Sequence, residues 1–243
     1  MIRKQKVCVV IPCFKVNKEI KNVLKKINYK IVDKVFLIDD ACPEGSGFKA
    51  KGLKLKKVEV IFLKKNLGVG GATMFGFKKA LKKNYEFIFK LDGDGQHDPT
   101  EIKKFLNVLL NSHSNYCKGT RFADKKSKMK IPKIRLIGNM ILTYISRITC
   151  ANNEITDVVN GFLCIRANLL KKINFKKISN DFFFEEDLLF NISFFEKNIK
   201  EVKIKTIYNN KSSLSPIKTI IPFILKHLRN YIFRFICRYE KNR

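Results

Sequence analysis

The sequence predicts an α/β protein whose core is a mostly parallel sheet flanked by helices. Three observations predict it. Short apolar runs alternate with stretches of helical periodicity along most of the chain. The loops richest in Gly and Asp follow those runs, as in open sheets whose ligands sit outside the carboxyl ends of the strands. The length of 243 residues suits one large domain of this class or two small ones.

The elements follow in order. Val7 to Ile11 is apolar, is stopped by Pro12, and reads as a buried strand. Residues 17–28 read as a helix with a polar face. Val35 to Ile38 is a second strand, ending in Asp39-Asp40. Residues 41–47, with Pro43, Gly45 and Ser46, read as a loop. Val58 to Leu63 is a third strand. Asn66-Leu-Gly-Val-Gly-Gly-Ala72 then runs into a helix ending near Asn84. Phe87 to Leu91 is a fourth strand and delivers the loop Asp92 to Pro99. A helix to about Ser112 and a short strand at Tyr116–Lys118 complete the regular half.

The second half alternates less regularly. A basic loop, 125–133, precedes a helix from Ile134 to Cys150. Phe162–Ile165 and Val202–Ile207 are strand candidates, and Asp181–Asn198 reads as a long aromatic-rich helix. From Pro216 onward, Ile220, Ile224, Leu228, Tyr231 and Phe235 recur near helical spacing. Lys226, Arg234 and Arg238 form a basic stripe on the same segment. Such a helix suits either a membrane interface or a protein surface. The expected organisation is a catalytic unit over 1–215 and a basic amphipathic helix over 216–243.

Composition excludes several classes. Lys and Arg number 50 against 21 Asp and Glu, a formal net charge of +29. At 45% hydrophobic residues the chain supports a real core, so this charge does not signal disorder. It points to an anionic partner. The lysines are spread over the whole chain, and no zinc finger or RNA-binding aromatic motif accompanies them, which argues against nucleic acid. The seven cysteines are scattered without a C-x-x-C pair, and His97, His113 and His227 are too dispersed to complete a zinc site. A reduced, cytoplasmic protein is expected. No run of 18 apolar residues predicts a transmembrane helix, and Val7–Ile11 is too short for a signal peptide.

In a chain this basic the positions of the acids carry information. Nine of the 21 fall in three clusters, which decides where chemistry is sought: Asp39 and Asp40; Asp92, Asp94 and Asp98; Asp181, Glu185, Glu186 and Asp187. Carboxylates crowded at strand ends repel one another unless a cation binds. In an extended chain Asp92, Asp94 and Gln96 point to one side. Two carboxylates and an amide oxygen suit Mg²⁺ or Mn²⁺, with water or phosphate completing the shell. The EF-hand pattern fails for want of its closing Glu. The dinucleotide and P-loop patterns fail because a third glycine and a lysine are missing near Gly68–Phe77.

These motifs, in this order and at these spacings, resemble the family 2 glycosyltransferases of GT-A (Rossmann-like) fold, above all the dolichyl- or polyprenyl-phosphate mannose synthase type. The resemblance covers about residues 6–215. Its motifs are Val10-Ile-Pro-Cys-Phe14, Leu37-Ile-Asp-Asp40, Asn66-x-Gly-x-Gly-x-Ala72, Leu91-Asp-Gly-Asp-Gly-Gln-His-Asp-Pro99, Gly119-Thr-Arg-Phe122, Asp157 to Phe162, and Lys211-Ser-Ser213.

The resemblance implies a nucleotide-sugar donor bound by Asp39 and Asp40, with Pro12, Phe14, Asn66, Gly68, Gly70 and Asp92 also on the nucleotide. It implies Mn²⁺ or Mg²⁺ on Asp94, helped by Asp92 and Gln96. Arg121 and Lys211, with Ser212 and Ser213, would bind phosphate, and Asp157, Glu185, Glu186 and Asp187 would be the catalytic acids. Transfer would invert the anomeric carbon. The Ala41-Cys-Pro-Glu44 stretch departs from the family pattern and leaves a GDP- or a UDP-sugar open. The expected acceptor is a polyprenyl or dolichyl phosphate, at the cytosolic face of a membrane, with a glycan hydroxyl as the alternative. A hydroxyl needs a general base. A lipid phosphate, already ionised at neutral pH, does not.

Overall fold

The computed structural model of the protein describes residues 5–122, 133–152, 154–205 and 216–241. A seven-stranded sheet runs through its centre in the order β3-β2-β1-β4-β6-β5-β7. The strands are β1 Val7–Cys13, β2 Lys34–Asp39, β3 Val58–Phe62, β4 Phe87–Lys90, β5 Tyr116–Thr120, β6 Leu163–Arg166 and β7 Lys200–Lys203. The helices are α1 Ile20–Lys26, α2 Ser46–Gly52, α3 Gly68–Lys82, α4 Ile102–Leu110, α5 Lys133–Cys150, α6 Ala167–Leu170, α7 Phe184–Ile192 and α8 Pro216–Lys241.

The central strands are apolar on both faces, as a sheet covered on both sides requires. In β1, Val7, Val9, Ile11 and Cys13 enter one core with α1, α2 and α4, while Cys8 and Val10 enter the other with α3 and α7. That period of two splits the interior into two layers. Gly76 of α3 lies flat on Val10 and Ile38, where a Cβ would collide with Val10.

Strand direction positions the site. β1 pairs in parallel with β2 and β4, and β5 with β7, whereas β6 is antiparallel to both β4 and β5. Reversing β6 restores β5 to the direction of β4. The residues after β1, β2, β4 and β5 therefore emerge at one edge. The residues before β6, from Asp157 to Phe162, reach that same edge because β6 begins there.

Several boundaries differ from the sequence reading. Residues 41–47 are not all loop, because α2 starts at Ser46. Its first turn is set by Gly45 in the left-handed region (φ +69°) and by Gly47 N–H donating to Asp39 Oδ2 at 2.7 Å. The helix read over 181–198 is shorter, since α7 stops at Ile192 and Ser193 Oγ turns back onto the Phe190 carbonyl. The strand read at 202–207 lies at Lys200–Lys203, and residues 206–215 fall outside the described residues.

Helix α8 buries Phe223, His227 and Asn230, spaced as one helical face, against the Phe183–α7 region. No helix among the described residues is long and apolar enough to cross a membrane. Cys8, Cys13, Cys42, Cys117, Cys150 and Cys164 are free thiols.

Candidate active site

The β2 end is tightly organised. Asp39 is buried and accepts the N–H groups of Cys42 and Gly47, so its carboxylate shapes the 40–47 turn. Asp40 accepts Leu67 N–H at 2.7 Å, and Asn66 Nδ2 donates to the Asp40 carbonyl at 3.2 Å. The β2 loop and the Asn66 loop are thereby clasped together. Burial lifts the Asp40 carboxyl above its ordinary range. Pro12 is buried within β1, whereas the Phe14 ring, 40% exposed, stands just past that strand, open to a planar group.

Gly68 and Gly70 do something the sequence does not reveal. The N–H groups of Gly70 and Gly71 donate to the Asn180 carbonyl at 2.8 and 3.1 Å. A Cβ at Gly68 or Gly70 would collide with the backbone carbonyls of Asn180 and Ser179. These glycines let the start of α3 approach the chain entering α7. The Gly70 N–H is spent on that contact.

Past β4, Asp92, Asp94 and Gln96 share one loop. Asp94 Oδ1 accepts Gln96 N–H at 3.0 Å and makes no ion pair among the described residues. Burial, then the charge of Asp92, pushes its carboxyl up to about 6. Asp92 behaves oppositely. Burial opposes its ionisation, but Lys90 prevails and holds the carboxyl low. Lys90 Nζ sits 2.7 Å from Asp92 Oδ1 and 2.6 Å from Glu185 Oε1. The His97 ring lies tilted against Phe162, with its Nδ1 3.7 Å from Asp92 Oδ2. Burial drives its pKa down to about 4, so it is neutral.

The donor set fits a hard divalent cation that brings further ligands with it. Asp94 is an acid with no cationic partner among the described residues, crowded by a second acid. Among the described residues no three His, Cys, Asp or Glu side chains gather closely enough to enclose an ion. Water and phosphate oxygens would complete the shell, which is the coordination habit of Mg²⁺.

Across the edge, Arg121 donates through Nε and Nη2 to the two oxygens of Asp157, each at 2.7 Å. Burial disfavours the Asp157 carboxylate, but this fork outweighs it and holds the carboxyl below its usual range. Glu201 of β7 accepts the N–H groups of Thr156 and Asp157 and so fixes the loop from behind. Lys118, fully buried in β5, donates to the Val158 carbonyl of the same loop.

The acids of α7 diverge. Glu185 joins the site through Lys90. Glu186 is buried, neither of its oxygens finds a hydrogen bond among the described residues, and burial raises its pKa well above normal. Asp187 is fully buried. It accepts Ser179 N–H and Oγ–H, Asn230 Nδ2 and Arg229 Nη2, and so anchors α8. Lys211, Ser212 and Ser213 lie outside the described residues.

The sequence reading missed Lys90, Lys118 and Asn180. The two lysines had a signal: each interrupts a short strand, Phe87-Ile-Phe-Lys90 and Tyr116-Cys-Lys118, at a position where a surface charge has no place.

Comparison with known proteins gives the family and the fold. The sequence profile of "Glycosyl transferase family 2" matches residues 8–174. The chain is 27% identical over 228 residues to the UDP-N-acetylglucosamine–dolichyl-phosphate N-acetylglucosaminyltransferase of Methanococcus voltae, covering 88% of this chain and 90% of that protein. It is 28% identical over 173 residues to the undecaprenyl-phosphate mannosyltransferase of Micrococcus luteus, covering 70% of each. The fold matches glucosyl-3-phosphoglycerate synthase from Mycobacterium tuberculosis, solved with Mn²⁺, UDP and phosphoglyceric acid. That match has a TM-score of 0.69 at 13% identity and covers 92% of this chain and 78% of that one. With a GT-A-like fold and the family profile matched over more than half its length, this chain is a glycosyltransferase and belongs to glycosyl transferase family 2.

Proposed function

We propose that the protein transfers a sugar from a UDP- or GDP-sugar to a polyprenyl or dolichyl phosphate, with inversion, in the presence of Mn²⁺ or Mg²⁺. One observation carries the choice of acceptor: each candidate base is already committed. Asp157 is held by Arg121, Glu185 by Lys90 and Asp187 by Arg229, while Glu186 is buried with both oxygens unpartnered among the described residues and its carboxyl pushed well above its ordinary range by burial. A hydroxyl acceptor needs a carboxylate free to take its proton. A phosphate acceptor arrives as a nucleophile, because its second pKa is about 6. The names of the archaeal and bacterial relatives, which act on dolichyl and undecaprenyl phosphate, support the same reading.

In this reading Asp94, with Asp92 and Gln96, holds the divalent cation. When bound, that cation supplies positive charge where the nucleoside diphosphate leaves. Phe14 offers its exposed ring to the base. Arg121, set in plane by Asp157, supports phosphate oxygens, joined by Lys211, Ser212 and Ser213. Lys90 holds the Asp92 carboxyl low and fixes Asp92 and Glu185 in place. Residues 1–215 form the catalytic unit, and 216–243 bring it to the cytosolic face of a membrane as a peripheral protein.

The test is a screen of nucleotide sugars with Mn²⁺, with and without polyprenyl phosphate. Product only when the lipid phosphate is present supports the reading. Transfer to glycan hydroxyls instead would replace it. Asp94→Ala is expected to abolish Mn²⁺-dependent turnover, and full activity in that variant would remove the metal site.

A further inference from the structure

Lys90 ends β4, and its backbone pairs with Val10 of β1 on one side and Leu163 of β6 on the other. An ammonium rooted in the middle of the sheet does not reach water, and Lys90 is 1% exposed. Burying such a charge is costly unless carboxylates meet it. Two do here. Nζ lies 2.7 Å from Asp92 Oδ1 and 2.6 Å from Glu185 Oε1.

Asp92 is engaged through both oxygens. Oδ1 faces the ammonium. Oδ2 packs against Gly161, where an added Cβ would collide with it, and His97 Nδ1 stands 3.7 Å away. The same Cβ would collide with Lys90 Nζ and crowd Glu185 Oε1, so the bare backbone of Gly161 is what lets the three groups converge. Asp94 differs. It accepts Gln96 N–H at 3.0 Å and has no ion pair among the described residues.

Of the two acids that this loop presents to a divalent cation, one already has its counter-charge. The ammonium and a dication would share the Asp92 carboxylate, and two positive charges this close repel each other strongly in a buried setting. Phosphate oxygens change the balance, because they add negative charge and fill the cation's remaining positions. Glu185 makes the exchange tolerable. When Asp92 turns to the cation, Lys90 keeps one carboxylate and is not left as an uncompensated buried charge.

We propose that Lys90 is a positioning residue that competes with the divalent cation for Asp92, so that the free protein holds the cation weakly and gains it together with the nucleoside diphosphate. This rests on the reading of Asp92, Asp94 and Gln96 as the cation site. By linkage, nucleotide and cation each raise the other's affinity, and Lys90 sets the size of that coupling. Once the diphosphate leaves, the ammonium reclaims Asp92 and weakens the hold on the cation.

The test is Mn²⁺ binding to the 243-residue chain, read from the electron paramagnetic resonance signal of free Mn²⁺, alone and with UDP or GDP. The parent is expected to bind Mn²⁺ weakly alone and about tenfold or more tightly with one of the nucleotides. Lys90→Met should bind Mn²⁺ alone about tenfold or more tightly than the parent, and gain less from nucleotide. Lys90→Arg keeps the charge and should stay close to the parent. A purely structural loss would loosen the site and move the affinity the other way. Lys90→Met with Glu185→Gln serves where the single variant melts early, and the same tightening is expected. Adding Asp94→Ala should remove the gain, and a gain that survives it would place the extra cation elsewhere and overturn the proposal. Nucleotide-supported binding that neither Lys90 variant lacking the charge tightens would overturn the role of Lys90 and leave the cation site standing. No Mn²⁺ binding by parent or variants with either nucleotide would overturn the two together.

Discussion

Lys90 Nζ lies 2.6 Å from Glu185 Oε1, a partner 95 residues away in the chain. The same ammonium meets Asp92, so one buried cation ties the loop after β4 to helix α7. Burial alone would lower the Lys90 pKa, but its two carboxylate neighbours win and raise it. The three groups are held as a charged cluster at the centre of the site.

Removing that cation leaves the buried Glu185 and the partly buried Asp92 without their shared counter-charge. Lys90→Met is expected to cost about 3–5 kcal/mol, read by urea denaturation. Adding Glu185→Gln to Lys90→Met should recover part of the loss. Equal stability of Lys90→Met and the parent would show that the cluster contributes nothing to folding.

Gly161 sits directly over this cluster. An added Cβ would collide with Asp92 Oδ2 and Lys90 Nζ. Gly161→Ala should therefore lower turnover sharply and cost about 1–3 kcal/mol from overpacking. A fully active Gly161→Ala enzyme would mean that Lys90 and Asp92 can shift without consequence.

Arg121 meets Asp157 as a planar fork. Lysine keeps the charge and loses the second bond. Arg121→Lys is expected to reduce kcat about tenfold or more with little change in fold. Parent-like kcat in that variant would show that charge alone suffices there.

His227 gives a pH dependence. Burial holds its imidazole neutral, with a pKa of about 4 against 6.5 ordinarily, and the facing carboxylate of Asp187 only partly offsets this. The unfolded chain therefore binds more protons between those two values. The stability that His227 confers is complete above pH 6.5 and is lost as pH falls toward 4, at most ~3 kcal/mol. His227→Phe keeps the ring against Phe183 and should flatten the acid-side fall in Tm. His97 titrates in the same window in both proteins, so the difference between the two curves isolates His227. Parallel curves would assign the acid sensitivity elsewhere.

Much of the frame was legible in the sequence because it is local. Apolar runs bounded by Pro, Gly and Asp define β1 to β4, and the same turn residues mark the loops after them. Helix ends were less legible. A turn-rich stretch such as 41–52 hides α2, whose start depends on Asp39 Oδ2 meeting Gly47 N–H across the turn. The aromatic run after Asp181 continues past the point where Ser193 bonds back and ends α7.

The sequence by itself determined the α/β class, the strand-end placement of Asp39, Asp40, Asp92 and Asp94, and the family. These depend on the chain's own periodicity and on motifs a few residues long. Only the tertiary structure decided what each acid does. The reversed β6 brings Asp157 to Arg121, Lys90 finds Glu185 on a helix 95 residues away in the chain, and Asp187 meets Arg229 of α8. A buried charge takes its character from its nearest counter-charge. In this fold those partners come from strands and helices that are far apart in the chain and are joined only by the order of the sheet.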